Sequence, residues 1–175
     1  MKINIDKDQL IRDMEIANTE ASLVLKPYNE ETWEEYAKCA FAFFPGCRLG
    51  ALEPEFVLRV FDKLLAKNPD TAVILRCCGF GADLADEPAL RDEVLDTIKS
   101  EWESLGKPQI ITACDTCKRM FIEYLPEITV TSAADFLNDP VIGGLAKHIS
   151  EDYDISQEEK TANRLELKET LKEFF

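Results

Sequence analysis

Thr71-Ala72-Val73-Ile74-Leu75-Arg76-Cys77-Cys78-Gly79 is a short apolar, β-branched run that passes directly into two adjacent thiols and a glycine. A run of this length, with Asn68-Pro69 before it and Gly79 after it, predicts a buried strand over Thr71–Leu75. Working outward, the same arrangement recurs on both sides. Upstream, Ala40-Phe41-Ala42-Phe43-Phe44 is closed by Pro45-Gly46-Cys47, and downstream Gln109-Ile110-Ile111-Thr112 leads into Ala113-Cys114-Asp115-Thr116-Cys117. Helical patterns fill the intervals. From about Pro54, residues Phe56, Val57, Val60, Phe61, Leu64 and Leu65 form one apolar stripe, stopped by Asn68-Pro69. Asp86 can cap and Pro88 can open a second helix, whose Leu90, Val94, Leu95, Ile98 and Trp102 repeat at three and four before Gly106. A helix over roughly Lys118 to Leu125, a short strand at Ile128-Thr129-Val130 and a helix from Ser132 complete the series. Strands alternating with helices imply βαβ units, so the expected class is α/β: a small parallel sheet of about four strands flanked by helices.

Composition sets the outer limits. A chain of 175 residues accommodates one domain with extensions and a sizeable core, which needs no disulfides to fold. With 46% hydrophobic residues it is not disordered as a whole, and with 31% charged residues and no apolar run near the roughly 18 residues of a spanning helix it is not a membrane-spanning chain. The formal net charge of -14 argues against a nucleic-acid partner, because phosphate-backbone binding depends on clustered Lys and Arg. A neutral or basic partner is favoured instead. The opening Met1-Lys2-Ile3-Asn4-Ile5-Asp6-Lys7-Asp8 lacks the apolar stretch of a secretory signal, so the expected location is cytoplasmic. The expected organisation is a helical N-terminal extension over 1–38, a cysteine-rich domain over 39–138 and a helical C-terminal extension over 139–175. Trp33 and Tyr36 would share a face in the first extension. In the last, Ser156 and Glu159 make a capping box before Leu165, Leu167, Leu171 and Phe174.

Six cysteines in an intracellular chain point to metal or redox chemistry before disulfides. Cys47 follows the first strand, Cys77 and Cys78 the second, and Cys114 and Cys117 the third. In an open parallel sheet the carboxyl ends of the strands lie at one edge, where ligands of such folds bind, so these thiols are expected to converge. Gly46 and Gly79 would let the backbone approach a bound group closely. Four-coordinate zinc is one use for the cluster, although one CxxC and one adjacent pair are not two zinc knuckles. A soft, thiolate-rich site suits an iron–sulfur cluster better. Cys114-Asp115-Thr116-Cys117 alone would suit a dithiol oxidoreductase, with a helix N-terminus lowering one thiol's pKa. The plainest alternative treats these cysteines as small buried hydrophobes. Cys39, at the opposite end of the first strand, is expected to be a buried structural thiol. His148, the lone histidine, is expected to sit at the surface or in packing. Arg76, Lys118 and Arg119 flank the cysteines and are candidates for offsetting thiolate charge.

Phe43-Phe44-Pro45-Gly46-Cys47, then Cys77-Cys78-Gly79-Phe80-Gly81, then Cys114-Asp115-Thr116-Cys117 resemble the cysteine-rich CCG domain. This domain occurs in the catalytic subunit of heterodisulfide reductase and in relatives such as the iron–sulfur subunits of glycolate and lactate oxidases. The resemblance covers roughly residues 40 to 137 and corresponds to a single copy. The resemblance implies metal ligation by Cys47, Cys77, Cys78, Cys114 and Cys117, with Gly46 and Gly79 against the cofactor. The cofactor implied is a [4Fe-4S] cluster, non-cubane in heterodisulfide reductase itself, with zinc as the alternative. The implied function is electron transfer or disulfide/thiol reduction in a heterodisulfide-reductase-like oxidoreductase, alongside a ferredoxin-like or flavin-containing subunit or a second copy of the chain. The competing implication is a zinc-stabilised or cluster-free module that docks within a redox complex. Whether a single copy is an enzyme is left open, and no catalytic residue is assigned.

Overall fold

The computed structural model describes residues 38–46, 54–140, 142 and 162. Four short runs pair into one sheet: β1 (Phe41–Phe44), β2 (Thr71–Val73), β3 (Gln109–Thr112) and β4 (Val130–Ser132). They lie in the order β2-β1-β3-β4, and every pairing is parallel. Parallel neighbours require crossover connections. Here the crossovers are α1 (Pro54–Lys67) between β1 and β2, α2 (Phe80–Leu84) and α3 (Pro88–Ser104) between β2 and β3, and α4 (Asp115–Tyr124) between β3 and β4; α5 (Ala133–Leu137) follows β4. No helix among the described residues is long and apolar enough to cross a membrane.

The winding explains where the helices sit. From β1 the chain steps outward to β2, then crosses back over β1 to β3 and continues to β4, so its direction reverses once. Right-handed crossovers then put α1 on one face and α2, α3 and α4 on the other. The packing agrees, with α1 against α5, and α2 against both α3 and α4. Alternate residues of β1 serve the two layers. Phe43 stacks on Phe61 of α1 with centroids 6.1 Å apart, and Phe41 meets Phe136 of α5 at 5.1 Å. Phe44 points the other way and meets Phe121 of α4 edge-on at 5.0 Å. Phe43, Phe44, Phe61, Phe121, Ile98, Ile110 and Ile111 are all fully buried, so the central strands are apolar on both faces, as a covered parallel sheet requires.

The expected α/β sheet of four strands is the observed one, with informative differences at element boundaries. β3 runs over Gln109–Thr112 as expected, whereas β2 stops at Val73 and leaves Ile74–Cys78 outside the strand, with the Ile74 N–H bonded to Phe43 O at 2.8 Å. The expected β4 at Ile128–Val130 is displaced to Val130–Ser132, because the Thr129 carbonyl already accepts from Ile110 N–H and fixes the register one residue later. α4 begins at Asp115 rather than Lys118. Asp86 does not cap α3; that position is Glu87, with no side-chain cap, and Pro88 opens the helix. The expected terminal extensions, with Trp33, Tyr36, His148 and the Ser156 capping box, lie outside the described residues.

Cys39 behaves as a structural thiol. It is 7% exposed at the amino end of β1, and its Sγ donates to Leu105 O at 3.6 Å. Burial pushes its pKa above the ordinary thiol value; a backbone hydrogen bond at Ala72 opposes this, the Asp70 carboxylate adds to it, and the Cys39 backbone opposes it least. Because the folded value is raised, its contribution is present in full below the unfolded thiol pKa of about 8.5 and is lost as pH rises through the folded value. Thermal unfolding of the metal-free chain between roughly pH 7 and 10 should therefore show a shallower alkaline decline in Cys39→Ala than in wild type. Equal slopes would refute the assignment.

Candidate metal centre

In a doubly wound sheet, loops leaving two neighbouring strands toward opposite layers open a crevice at the carboxyl edge where winding reverses. In this chain that point lies between β1 and β3. The pairing of Phe44 with Thr112 ends the two strands level, so Pro45-Gly46 and Ala113-Cys114 begin side by side. Gly46 has φ +83°, a left-handed conformation that L side chains rarely adopt, and a Cβ there would lie 3.1 Å from Cys117 Sγ and 3.2 Å from Cys114 Cβ. The backbone after β1 therefore lies directly against the thiols after β3. Cys47, the next residue, lies outside the described residues.

Cys114 holds the N-cap position of α4 in extended conformation, and its carbonyl accepts from Lys118 N–H at 3.0 Å. Its own N–H donates to Thr112 Oγ1 at 3.2 Å, so a buried threonine at the end of β3 fixes the turn into the helix. Cys117 follows within the first helical turn. Cys77 and Cys78 lie on the extended chain past β2. There Gly79, at φ +81°, turns the chain into α2 and donates its N–H to Cys77 Sγ at 3.4 Å. A Cβ on Gly79 would meet Arg91 and Val94 only at 3.6 Å, so its glycine is required by backbone conformation rather than by close approach.

Thiols from two of the three expected loops meet in the described structure. Cys117 Sγ is hydrogen-bonded to both Cys114 and Cys78. Cys77, Cys78, Cys114 and Cys117 are 5%, 3%, 6% and 2% exposed, and none of them is in a disulfide. These neighbouring thiols, with burial, hold the Cys117 pKa well above the ordinary value, because both penalise the thiolate there. Among the described residues no three ligand-type side chains make a complete metal-holding group by themselves. The donor chemistry nevertheless fits a soft cation or cluster: clustered sulfur, little water, one backbone N–H aimed at sulfur, and a glycine cradle that a Cβ would fill.

The flanking cations have partners away from the sulfurs. Arg76 pairs with Glu101 at 2.9 Å, Lys118 with Asp135 at 3.7 Å, and Arg119 lies over the Phe80 ring at 5.0 Å. On the β4 side, Thr112, Asp115, Lys118, Ser132 and Asp135 line a polar cleft of about 190 Å³. Sequence reading missed α2 altogether, and with it Phe80 and Asp83, which link the Cys77-Cys78 loop to α4. The seven-residue spacing of Cys117 and Tyr124, which puts them on one helical face, was the available signal.

The two glycines yield a differential prediction. Gly79→Ala should cost about 1–2 kcal/mol, the penalty of a left-handed L-residue. Gly46→Ala carries the same backbone cost and also drives a methyl into Cys117 and Cys114, so it should lose more stability in urea unfolding and slow thiol-to-metal titration. Equal losses would show that the strand-end backbone does not bear on the thiols.

With that geometry in place, residues 41–122 match the family model of the CCG cysteine-rich domain. No curated protein and no solved structure matches. The match spans β1 through most of α4, and so takes in the stretch from the Gly46 turn to both thiols of the CxxC. A cysteine-rich domain of this kind is consistent with a metal-binding module of redox type. Over residues 41–122, this chain is similar to the cysteine-rich CCG domain.

Proposed function

We propose that this chain binds an iron–sulfur cluster through Cys47, Cys77, Cys78, Cys114 and Cys117 and serves as a redox component in electron transfer or disulfide/thiol reduction. The observation that carries this reading is the buried Cys117 thiol flanked by the buried thiols of Cys114 and Cys78 at the carboxyl edge of a parallel sheet. The neighbouring thiols and burial keep Cys117 as the neutral thiol in the metal-free chain, and a bound positive centre would stabilise the thiolates in its place. Metal uptake at such a site releases protons, because the ligands must deprotonate. The dithiol reading of Cys114 and Cys117 fares worse. A dithiol oxidoreductase needs an accessible, low-pKa nucleophile, whereas both thiols are buried and Cys117 is shifted upward.

A bound cluster would supply one-electron transfer at a potential set by its sulfur hydrogen bonds and by exclusion of water. The chain's own residues provide that setting. Gly79 N–H points at Cys77 sulfur, Gly46 brings backbone against Cys117, and Thr112 holds the turn that presents Cys114. Reduction of a disulfide to two thiols takes two electrons and two protons, so a single-copy domain works with a donor, for which a ferredoxin-like or flavin-containing subunit is the proposed class. The net charge of -14 favours a partner surface that is neutral or basic. A cytoplasmic location and pairing with a second copy are part of the same proposal.

Anaerobic purification followed by iron, sulfide and zinc analysis tests the reading. Iron and acid-labile sulfide in near-equal amounts, with broad visible absorption that bleaches on dithionite addition, is the expected result. Cys117→Ser and Cys78→Ser should each abolish or severely reduce it. Stoichiometric zinc with a featureless visible spectrum overturns the cluster and leaves the docking-module reading in its place.

A further inference from the structure

The thiols are not held in place by their own loops alone. The Cys77-Cys78 pair lies past the end of β2, and the CxxC begins a helix that follows β3, so contacts between the elements that follow each loop bear on the distance between them. Gly79 starts α2, and the Asp83 N–H returns to Gly79 O at 3.0 Å, which makes α2 a rigid continuation of the Cys77-Cys78 loop. Asp83 Oδ1 then accepts two hydrogen bonds from other helices: from Tyr124 Oη of α4 at 2.8 Å and from Arg91 Nη1 of α3 at 3.0 Å. Arg91 also lies over the Tyr124 ring at 4.2 Å, and one turn closer to the thiols Arg119 of α4 covers Phe80 of α2 at 5.0 Å. Tyr124 is two turns from Cys117 on the same helix, so the face that presents Cys117 to Cys78 also presents Tyr124 to Asp83.

We propose that Asp83, Tyr124 and Arg91 form a positioning clamp that sets the separation of Cys78 from Cys117 and so the geometry of the metal centre. This inference rests on the metal-centre reading above. Tyr124 is the member that can be altered most cleanly. The adjacent Asp83 carboxylate keeps its phenol protonated, and hence donating, beyond the usual tyrosine range. Tyr124→Phe removes that one donor and retains the ring under Arg91. Asp83, Arg91 and Tyr124 act here through their contacts with one another, so they are positioning residues, and their loss should alter the site's shape without removing a ligand.

The test uses the full chain and cobalt(II) alone as the probe, because the d–d bands of cobalt report ligand geometry and its sulfur charge-transfer band reports thiolate coordination. Tyr124→Phe is expected to retain the charge-transfer band, shift the d–d bands and bind cobalt roughly tenfold more weakly, the lower range for loss of groups that orient metal ligands. Lys63→Met, which breaks the Lys63–Asp139 ion pair on the opposite face, is expected to leave spectrum and affinity at wild-type values. If Tyr124→Phe matches wild type in both, the clamp is refuted. Should it lose helical circular dichroism, Asp83→Asn carries the same two readouts with the side-chain shape retained. If wild type shows no sulfur–cobalt band, the metal-centre reading fails. The clamp is then read in the metal-free chain with phenylarsine oxide, in a Cys39→Ser/Cys47→Ser/Cys77→Ser/Cys114→Ser background that leaves only Cys78 and Cys117 to be bridged. Two As–S bonds form as the arsenic oxygen leaves with both thiol protons as water, and peptide mapping identifies the bridged pair. Adding Tyr124→Phe should lower Cys78–Cys117 bridging about tenfold, by the same expectation; unchanged bridging overturns the clamp independently of any metal.

Discussion

The contact between Gly46 and the two thiols of α4 is the constraint on which the rest of the site depends. It exists because β1 and β3 are adjacent, parallel and level at their carboxyl ends, with Phe44 opposite Thr112. Without that register the chain leaving β1 would pass above or below Cys117 rather than against it. Register in turn depends on the Phe43–Phe61 and Phe44–Phe121 contacts, one on each face of the same strand. A slip by one residue would exchange the two faces and send each phenylalanine into the wrong layer. Core packing and site geometry are thus one requirement imposed on four residues of β1.

What could be read in the chain follows from which interactions are local. The strand β3 and helix α1 were legible because their patterns are internal: a four-residue apolar run, and an apolar stripe closed by Asn68-Pro69. Convergence at one edge was legible because parallel topology places every strand's carboxyl end on the same side. The errors lie where long-range partners decide. β4 was misplaced by two residues because Thr129 and Val130 take their register from Ile110, twenty residues away. Asp86 looked like a cap by residue type but takes φ +60° to let the chain turn from α2 into α3, and the cap falls to Glu87. The short α2 carries no periodicity of its own and is defined by the Gly79 turn and by what Asp83 bonds to. For the site, the identity and order of the cysteines could be read, whereas the hydrogen bonds of Cys117 to Cys78 and Cys114, and the turning of Cys77 toward Gly79 N–H, required three dimensions.

The charged residues around the cysteines illustrate the same distinction. Read in sequence, Arg76, Lys118 and Arg119 look like compensation for thiolate charge. In the fold each is directed to a nearer partner: Glu101, Asp135 or the Phe80 ring. The sulfur-rich edge consequently has no side-chain cation directed at it among these three. Among the described residues, the Gly79 N–H and the amino end of α4 lie near the sulfurs and bring backbone dipoles to them. Such a setting tolerates neutral thiols and lets a multivalent cation supply the missing charge.

Burial also explains why the site needs outside support. Among the described residues, the β2 ladder reaches only Val73 and the Ile74 N–H, so it stops short of the Cys77-Cys78 pair. Side chains on β2 cannot order that pair either, since Thr71, Ala72 and Val73 are already committed to the core. Order must come from the next element along the chain, and that is α2, too short at five residues to be stable alone. Its stability is borrowed from α3 and α4 through Asp83 and Phe80. The consequence is a coupling built into the connectivity: any displacement of α4 that separates Tyr124 from Asp83 also moves Cys117 relative to Cys78, because Cys117 and Tyr124 share one rigid helix and Cys78 and Asp83 share one tightly bonded turn.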